Sequence, residues 1–228
     1  MSFETNEQDI MSYLKSFDYN PIRAKLLYNQ DGRSKGTGFV QMESAQEAGV
    51  IWVGSDDGLV HITKDGGTNW ENITPSNMPE WMMVNSIDID PHAKGSAYLA
   101  GTKYKTGDNT PYLYKTKDYG KTWTKITSGI PNDQFTQVVR VDPKRQGLLY
   151  AGTEKGLFIS FDDGASWSPF QMNLPIVPIT DITIKNDNLI VATQGRSFWL
   201  IDDITPLHQL NTQIANSSYH LFNPMASY

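Results

Sequence analysis

One pattern, Ser/Thr-x-Asp-x-Gly-x-x-Trp, occurs three times in this chain: as Thr63-Lys-Asp-Gly-Gly-Thr-Asn-Trp70, as Thr116-Lys-Asp-Tyr-Gly-Lys-Thr-Trp123 and as Ser160-Phe-Asp-Asp-Gly-Ala-Ser-Trp167. Its central aspartates lie 53 and then 44 residues apart. A repeat of that length is typical of one four-stranded blade. Three copies in register therefore predict a repeating, mainly β architecture.

The residue types of the pattern are those of a tight hairpin. An aspartate at the turn can accept hydrogen bonds from nearby backbone N–H groups, and a glycine permits the positive φ that such a turn needs. The closing tryptophan offers a large apolar surface for packing. We therefore assign fold roles, not catalytic roles, to nine residues: Asp65, Gly67, Trp70, Asp118, Gly120, Trp123, Asp162, Gly164 and Trp167.

A second repeat precedes each hairpin and reads as two strands joined by a turn. It runs from Ile87 to Gly101 and from Val139 to Gly152, with an Asp-Pro turn in each copy. Less regular copies run from Val40 to Gly54 and from Ile182 to Thr193. Short apolar blocks and alternation of this kind predict strands, so each unit is expected to form one antiparallel blade.

From about Gly38 to Thr205 the chain resembles the BNR or Asp-box propellers, and among them the sortilin-type propellers of bacterial proteins often labelled glycosyl hydrolases. Besides the three hairpins, the resemblance rests on Gly49-Val-Ile-Trp-Val-Gly-Ser-Asp-Asp-Gly58 and Val191-Ala-Thr-Gln-Gly-Arg-Ser-Phe-Trp199. It implies a mainly β fold, a partial β-propeller of three to four blades over residues 47–205. Fold alone does not imply an activity. Proteins of the resembled family are often exported.

The number of blades predicts an incomplete ring. Three full units and a partial fourth are visible, whereas closed propellers usually have four or more blades. We therefore expect further blades from another chain or from additional sequence, and an irregular tail over residues 206–228.

The first 46 residues follow a different pattern, a short α/β segment. A capping box at Thr5 to Gln8 predicts a helix, and strands are expected at Ile22 to Tyr28 and Thr37 to Met42. Gly32 to Met42 resembles the longer signature of an RNA-recognition motif, which implies RNA contacts by Arg33, Lys35 and Phe39. Thr37 occupies an aromatic position of that signature, and a preceding signature strand is missing. In addition, the blade repeat can claim Val40 to Met42, so we expect weak RNA binding or none.

Composition narrows the function classes. The net charge of −6 argues against a nucleic-acid surface spread over the chain, and the absence of cysteine excludes disulfides and thiolate chemistry. The N-terminus does not read as a signal peptide, and no apolar run is long enough to cross a membrane. No motif predicts a cofactor or a metal. The sequence does not indicate a cellular compartment.

Two function classes remain after these exclusions, ligand recognition and glycoside hydrolysis. Glycosidases use two carboxylates facing each other across a substrate, for which Asp56, Asp57 and Asp181 are the candidates. Four residues near longer or unusual segments are candidates for ligand binding: Trp81, Tyr104, Tyr112 and Arg196. Because no catalytic constellation emerges, we expect a propeller-type binding scaffold for peptide or carbohydrate. An Asp-box glycoside hydrolase with carboxylates from two blades is the alternative.

Overall fold

The computed structural model describes the backbone of two strands, 21–28 and 34–42, and all of residues 49–224. Contact density divides the chain into two units. One unit contains the described residues up to Val53 together with His61–Asn72, and the other contains Gly54–Val60 and everything after Ile73. The predicted N-terminal helix and the side chains of Arg33, Lys35 and Phe39 lie outside the described residues.

The strands form four blade-like antiparallel sheets after an N-terminal pair, β1 (Pro21–Tyr28) and β2 (Ser34–Met42). The first blade contains β3 (Ile51–Gly54), β4 (Val60–Thr63) and β5 (Glu71–Asn72). The second contains β6 (Met83–Ile89), β7 (Ala97–Lys103), β8 (Asp108–Thr116) and β9 (Thr124–Lys125). The third contains β10 (Thr136–Val141), β11 (Leu149–Thr153), β12 (Leu157–Ser160) and β13 (Ser168–Pro169). The fourth contains β14 (Ile179–Lys185), β15 (Asn188–Thr193) and β16 (Phe198–Ile201). The mainly β, partial-propeller prediction is confirmed.

The blades of the larger unit pack face to face through apolar side chains that alternate along their strands. In the third blade, Val139, Ala151 and Phe158 belong to the core shared with the second blade. Their neighbours Val138, Tyr150 and Leu157 belong to the core shared with the fourth blade. Each central sheet is therefore apolar on both faces, which is the pattern of a stacked blade rather than of a sheet with one solvated face.

One backbone hydrogen bond recurs in all three Asp-box hairpins. The residue after the central aspartate donates its N–H to the carbonyl of a glycine two residues before a blade strand, at 2.9 Å each time: Gly66 to Gly49, Tyr119 to Gly95, and Asp163 to Gly147. The donor residues all have left-handed φ values, of 73°, 60° and 63°. This bond links the glycine-containing turn to the Asp-box turn. It therefore explains why the strand repeat and the Asp-box hairpin occur together in the sequence.

The fourth blade ends differently from the preceding two. After β16 the chain forms α1 (Thr205–Gln209) and α2 (Thr212–Ala215) rather than a further hairpin and outer strand. Ile204 is fully buried, and Leu207 packs against the same core. His208 Nε2 lies 2.9 Å from Oδ2 of the buried Asp142, at the Asp-Pro turn of the third blade. Part of the tail predicted to be irregular over 206–228 thus forms short helices, and Ile204, Leu207 and His208 place the first of them against the blade core.

The N-terminal strand pair also corrects one detail of the sequence reading. Val40 and Phe39 pair with Ala24 and Lys25 of β1, so Val40 to Met42 belong to the β1–β2 hairpin. The first blade has β3, β4 and β5 as its described strands, and β2 is not one of them. The blade repeat therefore does not claim Val40 to Met42, because β1 offers a local antiparallel partner a few residues away.

Candidate functional site

The carboxylates of the Asp-box aspartates accept hydrogen bonds from residues of their own turns. In the second box, Asp118 accepts hydrogen bonds from the Thr122 hydroxyl at 2.6 Å, the Thr122 N–H at 2.9 Å and the Thr116 hydroxyl at 2.8 Å. Asp65 and Asp162 accept equivalent bonds in their boxes. Backbone and side-chain bonds from Asn69 lower the pKa of Asp65 to about 2. Carboxylates held in this way stabilise a turn and are poor candidates for acid–base chemistry.

The Asp-box tryptophans join neighbouring blades. Trp123 Nε1 donates to the Ile73 carbonyl at 2.7 Å, and Trp167 Nε1 donates to the Ile126 carbonyl at 2.7 Å. Each acceptor follows the outer strand of the preceding repeat. Trp167 is buried in the core between the second and third blades. In the second and third boxes the indole is thus bonded to the backbone of the preceding blade.

Two sequence candidates, Asp56 and Trp81, meet in one open cleft of about 360 Å³, which we call the Trp81 cleft. Its remaining lining residues come from the start of β6, the end of β7 and the following 3-10 turn: Met83, Thr102, Lys103, Lys105 and Thr106. Because two lysines, two threonines and a carboxylate surround an indole, the cleft combines an apolar plate with groups that can donate or accept hydrogen bonds.

Trp81 is both exposed and rigidly anchored. Its side chain is 69% exposed, yet the next residue, Met82, is fully buried. Its backbone has a φ of 60°, a left-handed conformation that is rare for an aromatic residue. Gly58 packs so closely that a Cβ there would lie 2.9 Å from the Met82 carbonyl oxygen. Strained backbone that surrounding structure holds in place is characteristic of ligand-binding positions.

The loop carrying Asp56 is fixed from both sides. The Ser55 N–H donates to Leu59 O at 3.0 Å, and the Val84 N–H donates to Ser55 O at 3.0 Å. Asp57 accepts a hydrogen bond from the Ser55 hydroxyl within this loop. Asp56 is exposed and lines the cleft. Of the two adjacent carboxylates, Asp56 lines the cleft and Asp57 does not.

The third carboxylate candidate, Asp181, belongs to a different cluster on the first strands of three blades. Arg140 of β10 donates to Asp181 at 2.7 Å and to Ile182 O at 2.8 Å, both on β14. It also donates to the Ser86 hydroxyl of β6 at 2.7 Å. Asp88 accepts the Val141 N–H at 2.7 Å, and burial raises its pKa even though Arg140 opposes the shift. Asp181 is thus engaged with Arg140, and it does not line the Trp81 cleft.

The other ligand-binding candidates are not among the residues that line the cleft. Tyr112 is only 7% exposed, and its hydroxyl donates to Asp108 at 2.7 Å. Tyr104 is 43% exposed and stacks on Phe135 with ring centroids 4.7 Å apart. Arg196 is exposed in the turn before β16, where its carbonyl accepts the Trp199 indole N–H. The cleft also contains residues that the sequence reading missed, Lys103 and Lys105. Their position beside Tyr104, at the end of a predicted strand, was the available signal.

Neither a metal-binding cluster nor a membrane-spanning helix is present among the residues that the structure describes. No three histidine or acidic side chains among them group together in a way that could hold a metal ion. None of the helices in that part of the chain is long and apolar enough to cross a membrane.

Known proteins resemble this chain at the level of the blades. A probable oligoxyloglucan-reducing end-specific xyloglucanase of Neosartorya fischeri is 24% identical over 51% of this chain and 14% of its own length. The xyloglucanase Xgh74A of Acetivibrio thermocellus is 26% identical over 53% of this chain and 17% of its own length. The chain therefore spans less than a fifth of either relative.

Solved structures agree on the fold. A GH74 xyloglucanase from Xanthomonas campestris superposes with a TM-score of 0.54 at 18% identity, over 77% of this chain and 29% of that one. A structure of YCF48 bound to D1 peptide gives a TM-score of 0.51 at 16% identity, over 67% of this chain and 48% of that one. The family model described as sortilin, neurotensin receptor 3, matches residues 58–198, and with the blade architecture this match shows that the chain belongs to the Sortilin-Vps10 family.

Proposed function

We propose that this chain is a recognition module that binds a carbohydrate or a peptide in the Trp81 cleft. The observation that carries the proposal is the exposed indole of Trp81, held by a left-handed backbone beside the buried Met82. A rigid aromatic plate loses little conformational entropy on binding, and tryptophan is enriched among residues that dominate binding energies. It can stack on the apolar face of a sugar ring or on a peptide side chain.

The polar rim of the cleft supports a ligand rich in hydroxyl or carbonyl groups. Lys103 and Lys105 supply donors, Asp56 supplies an acceptor, and Thr102 and Thr106 can do both. Lys105 Nζ lies 3.8 Å from Met83 Sδ, and both residues line the cleft. A few convergent polar groups around an apolar surface are typical of small-ligand sites.

Glycoside hydrolysis is the second candidate, and the xyloglucanase relatives favour it. The mechanism needs two carboxylates about 5–9.5 Å apart across the scissile bond. Asp56 can be one of them. Asp57 is bonded within its turn and Asp181 is bonded to Arg140, so neither is presented to the cleft opposite Asp56. Recognition without turnover therefore fits the geometry better.

A binding screen tests the recognition proposal. Fluorescently labelled protein is applied to printed plant and microbial oligosaccharides and to a random peptide array. The same screen is run with Trp81→Ala and with Phe198→Ala, a matched loss of an exposed aromatic side chain outside the cleft. We expect saturable binding to one ligand class, reduced about tenfold or more by Trp81→Ala and unchanged by Phe198→Ala. Equal effects of the two variants would contradict the proposal.

A further inference from the structure

A second groove lies at the edge of the fourth blade, beside β16. Its empty volume is about 330 Å³, and we call it the β16 groove. The lining is mainly apolar and comes from the third and fourth blades: Leu157, Phe170, Gln171, Met172, Asn173, Leu174, Val191, Trp199, Leu200 and Ile201. All of these residues belong to the larger unit.

The groove repeats the socket that holds Trp167 one blade earlier. In that socket the Ile126 carbonyl accepts the Trp167 indole N–H, while the Ile126 N–H donates to Leu113 O at 2.9 Å. At the corresponding place in the next blade, the Phe170 N–H donates to Leu157 O at 2.8 Å. Phe170 is therefore the counterpart of Ile126, and its carbonyl occupies the position of an indole acceptor.

The walls of the two sockets correspond as well. Ile130 closes a turn after Ile126 by donating to Thr127 O, and Leu174 closes the same turn after Phe170 by donating to Gln171 O. In the third blade Phe158 pairs with Ala151 across β11 and β12, and both pack with Trp167. In the fourth blade Trp199 pairs with Val191, and both line the groove. The groove is thus an Asp-box tryptophan socket without its tryptophan.

The strand beside the socket has an open edge. In the third blade β12 is covered by the outer strand β13, through the pairs Phe158 with Pro169 and Ile159 with Ser168. Among the described residues β16 pairs with β15 on one side, and the sheet ends there. Unpaired backbone groups on such an edge favour the addition of another strand.

We propose that the β16 groove binds an extended peptide of another polypeptide, with the pattern Trp-x-x-apolar, which adds to β16 as the fourth strand of the blade. Its indole enters the groove and donates to the Phe170 carbonyl. The two residues that follow pair antiparallel with Leu200 and then Trp199, as Ser168 and Pro169 pair in the third blade. The blade then has the same four-stranded build as its neighbours.

The chain itself leaves no such segment free for this position. Its own Trp-x-x-apolar segments begin at Trp70, Trp123 and Trp167, and each already supplies the outer strand of its blade. Trp81 also begins the pattern, as Trp81-Met-Met-Val84, but this segment leads into β6 of the second blade. Trp52 and Trp199 do not begin it. Within residues 1–228 no segment of this pattern is left over, and we assign the groove to a peptide supplied in trans. This inference does not rest on the Trp81 cleft, which shares no residue with the groove.

The test uses the chain's own outer strand as the probe. A fluorescein-labelled peptide, Lys-Thr-Trp-Thr-Lys-Ile-Thr-Ser, has the sequence of residues 121–128 and is titrated with the whole protein by fluorescence anisotropy. We expect micromolar binding that weakens about tenfold or more when the tryptophan of the peptide is replaced by alanine. Absence of binding, or equal binding of the two peptides, would overturn the proposal.

Two matched variants on β16 locate the binding. Leu200 lines the groove and is 59% exposed, whereas Phe198 is 75% exposed on the same strand and does not line it. Leu200→Asp should weaken peptide binding about tenfold, and Phe198→Asp should leave it within about twofold. Equal losses would contradict binding in the groove. A dimer in analytical ultracentrifugation that Leu200→Asp dissociates would identify a second copy as the occupant and overturn the peptide assignment.

Discussion

At the scale of single residues, hydrogen bonding separates structural carboxylates from available ones. Asp65, Asp118 and Asp162 each accept several bonds inside a turn, whereas Asp56 lines a cleft. The repeated setting of the first three was visible in the sequence, because identical neighbours imply identical local geometry. The meeting of Asp56 with Trp81 was not visible, because it depends on how one loop packs against the next blade.

Acid stability is expected to follow the Asp-box carboxylates. Bonds from Asn69 lower the pKa of Asp65 to about 2 in the folded protein, and bonds led by the Thr122 hydroxyl also lower that of Asp118. A depressed folded-state pKa contributes stability above the unfolded-state value near 4, and this contribution is lost as the pH falls through the folded value. Thermal unfolding should therefore shift to lower temperature between about pH 4 and pH 2.

Measuring carboxyl chemical shifts by NMR during an acid titration shows which aspartates cause this loss of stability. The Asp65 resonance should titrate near pH 2, and replacing Asn69 by alanine should move its midpoint upward. A midpoint for Asp65 at an ordinary aspartate value would contradict the role given to the turn. Asp88 acts in the opposite sense, since burial raises its pKa and its contribution falls as the pH rises through the folded value.

At the scale of elements, the glycine of the Asp box is required by two separate constraints. Gly164 has a φ of 80°, and a Cβ there would lie 2.6 Å from Ile126 Cδ1 of the preceding blade. Gly107, at the end of the 3-10 turn, has a φ of 84° with nothing within 4 Å of a Cβ. Gly164→Ala should lower the free energy of unfolding by about 2–4 kcal/mol, against about 1 kcal/mol for Gly107→Ala.

Urea denaturation of the two variants measures this difference. If Gly107→Ala lowered the free energy of unfolding as much as Gly164→Ala, backbone strain alone would explain both losses. The close approach of Gly164 to Ile126 would then make no contribution.

The elements that the sequence predicted are those with a repeated pattern. Strands, turns and Asp-box hairpins between Ile51 and Thr193 follow the alternation and the Asp-x-Gly spacing. The exceptions lie where the pattern stops. Val40 to Met42 pair with β1, and the segment after β16 forms two helices anchored by Ile204 and His208. Tyr112 is buried although it follows a longer connection, because β8 is buried on both faces from Pro111 to Tyr114.

At the scale of the whole larger unit, Arg140 links the first strands of three successive blades. It donates to Ser86, Ile182 and Asp181. Removing a partly buried, fully bonded guanidinium leaves several acceptors without a partner. Arg140→Ala should therefore lower the free energy of unfolding by about 2–4 kcal/mol. Lys144→Ala, which breaks an ion pair of a 58%-exposed lysine with Asp187, should cost less than about 1 kcal/mol.

Differential scanning calorimetry compares these variants at neutral pH. A similar small effect of both would mean that the Arg140 contacts do not hold the blades together. Arg140 was not among the sequence candidates, because its partners come from blades more than 40 residues away on either side.

The central claim is that the Trp81 cleft recognises a ligand and does not cleave it. In the most direct measurement, the protein is incubated with xyloglucan oligosaccharides and with the ligand class found in the binding screen. Binding is measured by calorimetry, and the release of new reducing ends is measured by chromatography. The account predicts saturable binding to the ligand from the screen that Trp81→Ala weakens about tenfold or more, with no release of reducing ends above the protein-free control. Release of reducing ends that Asp56→Asn abolishes would contradict it and make the glycoside hydrolase reading the correct one.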